Sequence, residues 1–226
     1  IVPTGGGKTM CMIKDAEREF NSCSWDVVLK DPDRKTIVIV APRILLAQQL
    51  CIEFEKHLEA HQMLQYKVMH VHSGETHHYS TTCSDKIYNW HNNNYRFNKL
   101  IFTTYNSLKK IEGSKVNVDT IYFDEAHNSV QRHFFPATKF YATRDNGRCY
   151  FFTATPKHSI AAERTGMNDE EVYGKVLVNV SARKLVREGH ILPPKVKIKK
   201  IDVMDDSRHK HEHDCDYVTS TMDDID

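Results

Sequence analysis

Apolar residues along this chain form two patterns, short uninterrupted runs and longer stretches in which they recur every three or four positions. The runs, rich in β-branched and aromatic residues, lie at 36–41, 99–104, 120–123 and 148–155, with a weaker alternation at 66–72. Helical spacing appears at 8–20, 43–60 and 129–142. Uninterrupted apolar runs are typical of strands buried on both faces of a parallel sheet. The pattern therefore predicts an α/β fold, with a mostly parallel sheet and helices on both of its faces.

Three segments are interpreted from their composition. Residues 84–97 predict a helix followed by an Asn-rich stretch, and we expect this segment to lie on the surface. The aromatic residues within 129–142 lie at helical spacing, which favours the core over a base-stacking surface. A polar loop near 72–78 carries three histidines, and we expect them to be solvated because their spacing matches no metal-ligand set. These histidines are His72, His77 and His78.

The most informative motif opens the chain, where three glycines precede a lysine and a threonine. Glycine lets a backbone loop turn tightly and aim several N–H groups at one anion, and a helix that begins there adds the positive end of its dipole. The predicted phosphate-binding residues are Thr4, Gly5, Gly6, Gly7, Lys8 and Thr9. Lys8 would reach the β- and γ-phosphates, and the Thr9 hydroxyl would ligate Mg²⁺. An ordinary flexible Gly-Lys turn is the alternative.

A second motif stands at the end of the apolar run 120–123, where Asp124 and Glu125 follow directly. A buried strand that ends in two acids delivers them into the crevice at the carboxyl edge of an open α/β sheet. Asp124 would hold Mg²⁺, and Glu125 would orient and deprotonate an attacking water. A solvated acidic pair at a strand end is the alternative, and the glycine loop upstream makes it the weaker one.

Together these motifs resemble those of the first motor domain of superfamily 2 helicases and translocases. Residues 3–9 look like motif I, which in that family commonly lacks the first glycine, and Asp124-Glu125-Ala126-His127 looks like the DEAH form of motif II. Residues 153–155 (Thr-Ala-Thr) are similar to motif III. Residues 41–43 and 103–108 are similar to motifs Ia and Ib. The resemblance covers roughly residues 1–195.

The resemblance implies a RecA-like P-loop NTPase that binds ATP and Mg²⁺ and acts on DNA or RNA. It implies that His127, Thr153 and Thr155 relay the γ-phosphate state, with the threonines bonding towards the acids of 124 and 125. A plain strand terminus is the alternative for the two threonines. Nucleic-acid phosphates would be contacted by Arg43, Thr104 and Asn106, although a helix N-terminal surface charge for Arg43 and helix capping for the other two remain open.

The resemblance also sets the expected domain organisation. Residues 1–194 would form the helicase ATP-binding domain with motifs I to III, truncated at its first strand because only Ile1 and Val2 precede the loop. Residues 195–226 would form a lead-out strand and an acidic linker towards a second RecA-like domain of the same parent chain. That second domain would supply the arginine finger, so the segment alone would hydrolyse ATP slowly. A P-loop kinase or GTPase, and a non-hydrolysing nucleic-acid-binding or regulatory P-loop module, are the rival functions.

Composition agrees with this interpretation. The chain has 226 residues, 40% hydrophobic and 27% charged, which suits one soluble domain with a sizeable core. Its net charge is +1. Residues 202–226 contain nine acidic and two basic residues, a net charge of −7, so residues 1–201 carry a net charge of +8. No apolar run spans a membrane, and no C-x-x-C pair occurs among six cysteines. We expect free thiols and an intracellular protein, cytoplasmic or nuclear, or in the host cell if viral.

Overall fold

A six-stranded sheet forms the centre of the molecule in the computed structural model, which describes residues 1–22, 34–63, 65–145, 147–161 and 164–193. The strands are β1 (Thr36–Ala41), β2 (Tyr66–Val71), β3 (Tyr79–Ser80), β4 (Asn98–Thr104), β5 (Thr120–Phe123) and β6 (Arg148–Phe151). They lie in the order β3-β2-β4-β1-β5-β6, and every neighbouring pair is parallel. The predicted parallel α/β fold is confirmed.

Helices follow most strands and cover the sheet. They are α1 (Lys8–Asn21), α2 (Ile44–Ala60), α3 (Ser84–Asn93), α4 (Leu108–Ser114), α5 (Phe135–Ala142), α6 (Glu170–Tyr173) and α7 (Ala182–Arg187), with a 3₁₀ turn at Ala126–Asn128. Parallel strands need such crossover connections, because a tight turn cannot bring the chain back to the same end of the sheet.

Alternate residues of the central strands build two separate hydrophobic cores. On one face Ile37, Ile39 and Phe102 pack against α1 and α2. On the other face Val38 and Ile121 join a core that includes residues of α3, α4 and α5. Because successive side chains of a strand point to opposite faces, an uninterrupted apolar run supplies both cores at once. This explains why β1, β4 and β5 show no polar alternation.

The parallel arrangement brings the carboxyl ends of all six strands to one edge. Arg43 follows β1, Asn106 follows β4, and the acidic pair follows β5. Ala41 and Thr104 are register partners in β1 and β4, so the two segments that follow them are neighbours. This edge is therefore where motifs distant in sequence can meet.

The structure corrects the prediction of a helix over 129–142. Helix α5 begins only at Phe135, with Pro136 in its first turn, because a 3₁₀ turn and further turns occupy the preceding residues. Of the aromatic residues assigned to the core, Tyr141 is buried, whereas Phe140 is 47% exposed. The core assignment of Phe140 was wrong.

Two surface predictions also need correction. Within the segment 84–97, Ile87 of α3 is fully buried in the second core, so the helix is more than surface decoration. His72 is only 2% exposed, so the expectation of solvated histidines fails there. β3 was not predicted, and β6 ends at Phe151 rather than at 155.

The expected lead-out strand and acidic linker at 195–226 lie outside the described residues. Within the part of the chain that is described, no helix is both long enough and apolar enough to cross a lipid bilayer.

Candidate functional site

The glycine loop folds back on itself immediately before α1. The Gly6 N–H donates to the carbonyl of Pro3 at 3.0 Å, and Gly5 and Gly7 have positive φ angles of 77° and 88°. A Cβ on Gly6 would meet the Cγ1 of Val2 at 2.5 Å. Glycine is thus required here both for the backbone conformation and for the close approach of neighbouring groups.

The loop leaves the start of α1 open to an anion. Gly7 is the N-cap residue, and among the described residues no side chain caps the helix and no acid stands in its first turn. A Cβ on Gly7 would meet no atom within 4 Å. The N–H groups of a first helical turn have no intrahelical partners, and together with the helix dipole they attract negative charge. The geometry fits a phosphate group.

The acidic pair after β5 faces this loop across one cavity. The Nζ of Lys8 lies 3.7 Å from Oε1 of Glu125 and donates to the Val2 carbonyl at 3.3 Å. A cavity of about 690 Å³ is lined by residues of both motifs. Those from the predicted set are Thr4, Gly5, Gly7, Lys8, Thr9, Asp124 and Glu125. The structure therefore brings together residues more than a hundred positions apart.

The environment of Asp124 disfavours a bare negative charge. Burial, with the neighbouring charge of Glu125 as the second cause, raises the pKa of the Asp124 carboxyl to about 6. Its backbone is fixed by a bond from Asp124 N to Val40 O and by the Tyr105 hydroxyl, which donates to the Asp124 carbonyl at 2.8 Å. A cation beside this carboxylate would favour its ionised form. The Thr9 hydroxyl and the Asp124 carboxylate are oxygen donors of the type that Mg²⁺ prefers, so the residues fit that ion.

Glu125 occupies the left-handed backbone region, with φ 45° and ψ 53°. For a residue other than glycine this conformation costs about 1–3 kcal/mol and persists only where surrounding contacts impose it. Here the Ala126 N–H donates to the Phe152 carbonyl, and the Asn128 side-chain amide donates to the Glu125 carbonyl at 2.9 Å. These contacts turn the chain sharply after β5 and leave the Glu125 carboxylate next to Lys8.

The histidine of the DEAH motif connects Glu125 to the segment after β6. His127 Nδ1 lies 3.0 Å from the Thr153 hydroxyl and 3.4 Å from Glu125 Oε2. The predicted bond from Thr153 towards the acids is replaced by this one to the histidine. Thr155 is exposed, and it is its backbone N–H that donates to the Thr153 hydroxyl, at 3.2 Å. Thr153 thus links two neighbouring strand ends, while the Thr155 side chain does not.

The three predicted nucleic-acid contacts lie elsewhere on the carboxyl edge. Arg43, at the N-terminus of α2, and Asn106 are exposed, whereas Thr104 is 5% exposed and its hydroxyl bonds that of Ser107 at 3.4 Å. The N-cap of α4 is Ser107, so Asn106 is not the helix cap that the alternative proposed. None of these three lines the cavity of the glycine loop, as far as the chain is described.

One face of α2 completes the cavity and was not identified from sequence. Glu53, Lys56, His57 and Ala60 line it beside the loop. Their spacing of three, four and seven positions places them on one side of a helix, a signal present in the sequence. Only the packing of α2 against α1 shows that this side faces the glycine loop.

Comparison with known proteins gives a family and a fold. The family model described as type III restriction enzyme, res subunit, matches residues 1–158. A structure of a nuclease-deletion mutant of the Type ISP restriction-modification enzyme LlaGI, in complex with a DNA substrate mimic, is similar with 25% identity and a TM-score of 0.62. That similarity covers 84% of this chain and 18% of LlaGI, so the chain spans less than a fifth of that protein.

Two further structures are more distantly similar. The Hef helicase domain of Pyrococcus furiosus has 20% identity and a TM-score of 0.46, covering 71% of this chain and 30% of that one. The yeast DEAD-box splicing factor Prp28 has 20% identity and a TM-score of 0.48, covering 69% and 36%. A search of curated proteins found no match.

Proposed function

Because the chain belongs to the family of type III restriction enzyme res subunits, as an N-terminal RecA-like domain of a superfamily 2 helicase or translocase, we propose that it binds ATP with Mg²⁺ and hydrolyses it to drive movement on DNA or RNA. The observation that carries this proposal is the meeting of the glycine loop and the acidic pair in one cavity. Phosphoryl transfer depends mainly on positioning and charge neutralisation, and these two motifs supply both.

The glycine loop would hold the phosphates. The free N–H groups at the start of α1 would bind phosphate oxygens, and Lys8 would turn from the Val2 carbonyl towards the β- and γ-phosphates. Thr9 and Asp124 would hold Mg²⁺, which when bound neutralises the charge on the phosphates. The face of α2 that carries His57 forms another wall of the site.

Glu125 would act on the attacking water. Its carboxylate lies on the cavity wall beside Lys8 and His127, where it can accept the proton of a water aligned with the γ-phosphate. The bond between His127 and Thr153 would transmit the loss of the γ-phosphate to the segment after β6. Thr155 would take part through its backbone N–H only.

Nucleic acid would bind along the edge that carries Arg43, Thr104 and Asn106. The exposed side chains of Arg43 and Asn106 follow adjacent strands, which suits contacts to successive backbone phosphates. The LlaGI structure contains a DNA substrate mimic, so DNA is the first probe to use, with RNA beside it.

A second RecA-like domain of the parent chain would complete the cleft and supply an arginine finger, worth about 10³–10⁵ in rate in related reactions. We expect these 226 residues alone to bind ATP weakly and to turn it over slowly. Strong nucleic-acid-stimulated ATP turnover by the isolated segment would contradict the proposal that a second domain is needed for efficient hydrolysis.

The decisive experiment compares Lys8→Ala and Glu125→Gln in the parent protein. Lys8→Ala should weaken binding of a fluorescent ATP analogue about tenfold or more, since it removes a charge-assisted contact to phosphate. Glu125→Gln should still bind the analogue but lose at least about 100-fold in ATPase rate. Cys83→Ser, an exposed change outside the cavity, is the control and should behave as wild type.

The outcome separates the candidate functions. An unchanged ATPase rate in Glu125→Gln would refute the proposed role of that carboxylate. Binding of both ATP and nucleic acid with no turnover in the parent protein would instead favour the non-hydrolysing module.

A further inference from the structure

Away from the cavity of the glycine loop, α2 contributes to a cluster of side chains of the types that ligate metal ions. Cys51 and Glu55 are four residues apart on that helix, and His78 approaches them from the segment before β3. His78 Nε2 lies 3.0 Å from Glu55 Oε2, and the Cys51 thiol donates to the same oxygen at 3.6 Å. The three ligand atoms all lie within 4.8 Å of one another.

This cluster borders its own cavity of about 520 Å³. Among the described residues, none lines both this cavity and the one at the glycine loop. The cluster is therefore separate from the proposed ATP site, although α2 contributes to both.

The segment that carries His78 is held against α2 by contacts that need no ligand. The Gln48 side-chain amide donates to the Glu75 carbonyl, and the Ser80 hydroxyl donates to the His72 carbonyl at 3.0 Å. A Cβ on Gly74 would meet the Cγ2 of Ile44 at 2.5 Å, so the backbone approaches the first turn of α2 closely. The three ligating groups are thus positioned in advance, which lowers the entropic cost of binding an ion.

A buried histidine that lines the same cavity carries an unused donor. The Gly74 N–H donates to His72 Nδ1 at 3.1 Å, so a neutral His72 carries its proton on Nε2. That Nε2–H donates to His70 Nδ1 at 2.9 Å, which places the proton of a neutral His70 on its own Nε2. His70 is 1% exposed and lines the cavity, and its Nε2 has no hydrogen-bond partner. Buried polar atoms of this kind usually have a partner, so one is expected here.

We propose that Cys51, Glu55 and His78 bind a zinc ion, with a water as the fourth ligand that accepts a hydrogen bond from His70. Thiolate sulfur, imidazole nitrogen and carboxylate oxygen are the ligands that Zn²⁺ takes, and its tetrahedral geometry separates neighbouring ligand atoms by about 3.3–3.8 Å. The observed separations of 3.0 and 3.6 Å from Glu55 need only small adjustment, and the third, between Cys51 and His78, lies within 4.8 Å. The unpaired Nε2–H of His70 then has an acceptor.

Zinc takes the place of the two protons that now lie between Glu55 and its partners. The Cys51 thiol loses its proton to solvent and binds as thiolate. The proton on His78 Nε2 moves to Nδ1, so that the freed lone pair binds the ion. The bound ion joins α2 to the segment that follows β2.

A second group of possible ligands, Glu17, His57 and His61, is the weaker candidate. Glu17 accepts a hydrogen bond from Lys14 at 2.9 Å, and His61 is exposed with its Nδ1 bonded to the His57 carbonyl. It contains no sulfur ligand and, among the residues described, no unpartnered buried donor faces it. This group serves as an internal control.

The test is a metal titration of the untagged, chelator-treated protein. We expect one Zn²⁺ per chain by elemental analysis after dialysis against micromolar zinc, and a rise in the thermal unfolding midpoint with zinc concentration. Co²⁺ in place of zinc should give a thiolate-to-cobalt charge-transfer band and tetrahedral ligand-field bands. Cys51→Ser should abolish the charge-transfer band, and His78→Gln and Glu55→Gln should each weaken zinc binding about tenfold or more.

The matched controls are His61→Gln, in the rival group, and Cys83→Ser, an exposed cysteine elsewhere. Both should bind zinc as wild type does. Circular dichroism checks the fold of each variant, and if Cys51→Ser is unfolded, the partly exposed His78 and Glu55 carry the test. No bound zinc at micromolar concentration, a cobalt spectrum without a sulfur band, or loss of zinc in His61→Gln alone would each overturn the proposal.

Discussion

Gly6 and Gly7 are adjacent in the sequence but are glycines for different reasons. A Cβ on Gly6 would collide with Val2 inside the fold, whereas a Cβ on Gly7 would enter open space beside the start of α1. Gly7 has a positive φ of 88°, which disfavours any side chain, whereas the φ of Gly6 lies outside that region. Gly6 is therefore glycine because the surrounding groups leave no room for a side chain. Gly7 is glycine because of its backbone conformation and, in our proposal, because phosphate must reach the start of α1.

The substitutions Gly6→Ala and Gly7→Ala should separate these two effects. Gly6→Ala should lower the free energy of unfolding by about 1–3 kcal/mol through overpacking. Gly7→Ala should cost about 1–2 kcal/mol from strain and should also weaken ATP binding in the folded protein. Urea unfolding and binding of a fluorescent ATP analogue measure the two quantities. Equal nucleotide affinity in Gly7→Ala and wild type would contradict the assignment.

Lys99 is a buried cation at the start of β4, only 2% exposed. Its Nζ donates to the Phe97 carbonyl at 3.0 Å, and burial lowers its pKa from 10.5 to about 8. A lysine whose pKa is lower in the folded state destabilises that state. The penalty is fully present below pH 8 and has gone above pH 10.5, so stability should rise with pH between those values.

Lys99→Met should remove this penalty. We expect the free energy of unfolding to rise by about 1–2 kcal/mol at pH 7, since the lost hydrogen bond offsets part of the gain. The difference from wild type should shrink as the pH approaches 10.5. Urea unfolding across this pH range measures it, with the exposed Lys86→Met as control. A gain independent of pH would show that packing, rather than charge, is responsible.

At the scale of elements, a side-chain hydrogen bond joins the segments that follow two neighbouring strands. The turn after β5 carries His127, the segment after β6 carries Thr153, and their side chains meet at 3.0 Å. The backbone bond from Ala126 N to Phe152 O runs parallel to it. Because His127 Nδ1 also lies 3.4 Å from the Glu125 carboxylate, the side-chain bond is the connection that nucleotide state would affect.

Thr153→Val removes this contact with little change in shape. ATP-analogue affinity should stay within about twofold of wild type, while stimulation of the ATPase by nucleic acid should fall about 2- to 30-fold. Thr143→Val is the matched control, because the Thr143 hydroxyl bonds within the α5 region, to the Lys139 carbonyl at 2.9 Å. Unchanged stimulation in Thr153→Val would rule out a coupling role for this hydroxyl.

Element boundaries show the limit of periodicity as a signal. Helices α1 and α2 begin and end within about two residues of the prediction, because each buries a continuous apolar stripe over three or more turns. The prediction of a helix over 129–142 was wrong because tertiary contacts determine the conformation of this segment. Ser129 is fully buried, and its hydroxyl bonds the Tyr173 hydroxyl at 2.9 Å, a contact with a distant part of the chain.

At the scale of the whole molecule, the sheet divides the interior into two cores. Ile13 of α1 lies in one core and Ile111 of α4 in the other, and both are almost completely buried. Phe54 and Phe102, by contrast, share one core and meet edge to face, with ring centroids 5.6 Å apart. Substitutions across the sheet should therefore be independent, and substitutions within the aromatic pair should not.

Double-mutant cycles measure this difference. Ile13→Val and Ile111→Val should each cost about 0.5–1.5 kcal/mol, and their sum should match the double variant within about 0.5 kcal/mol. Phe54→Leu and Phe102→Leu should deviate from additivity by about 0.5–1.5 kcal/mol, because each change removes the same aromatic contact. Coupling of equal size in both cycles would mean that the sheet does not isolate the cores.

The sequence by itself determined the fold class and identified the two motifs that meet in the main cavity. Uninterrupted apolar runs indicate strands that are buried on both faces. The three glycines before Lys8 form a local motif that can be recognised in the sequence without knowledge of the fold. The acidic pair could be assigned to the same site as the glycine loop although the two are far apart in sequence. Parallel strands present their carboxyl ends at one edge of the sheet, whatever the order of the strands.

Tertiary structure alone decided which polar side chains share a cavity. Three findings depend on how the helices pack on the sheet. One is the wall that α2 adds beside Lys8, and another is the burial of His70 and His72. The third is that the Thr153 hydroxyl bonds His127 and not, as predicted, an acid. The cluster of Cys51, Glu55 and His78 joins a helix to a distant loop. Side-chain periodicity describes one element at a time, whereas such contacts arise from the relative placement of two.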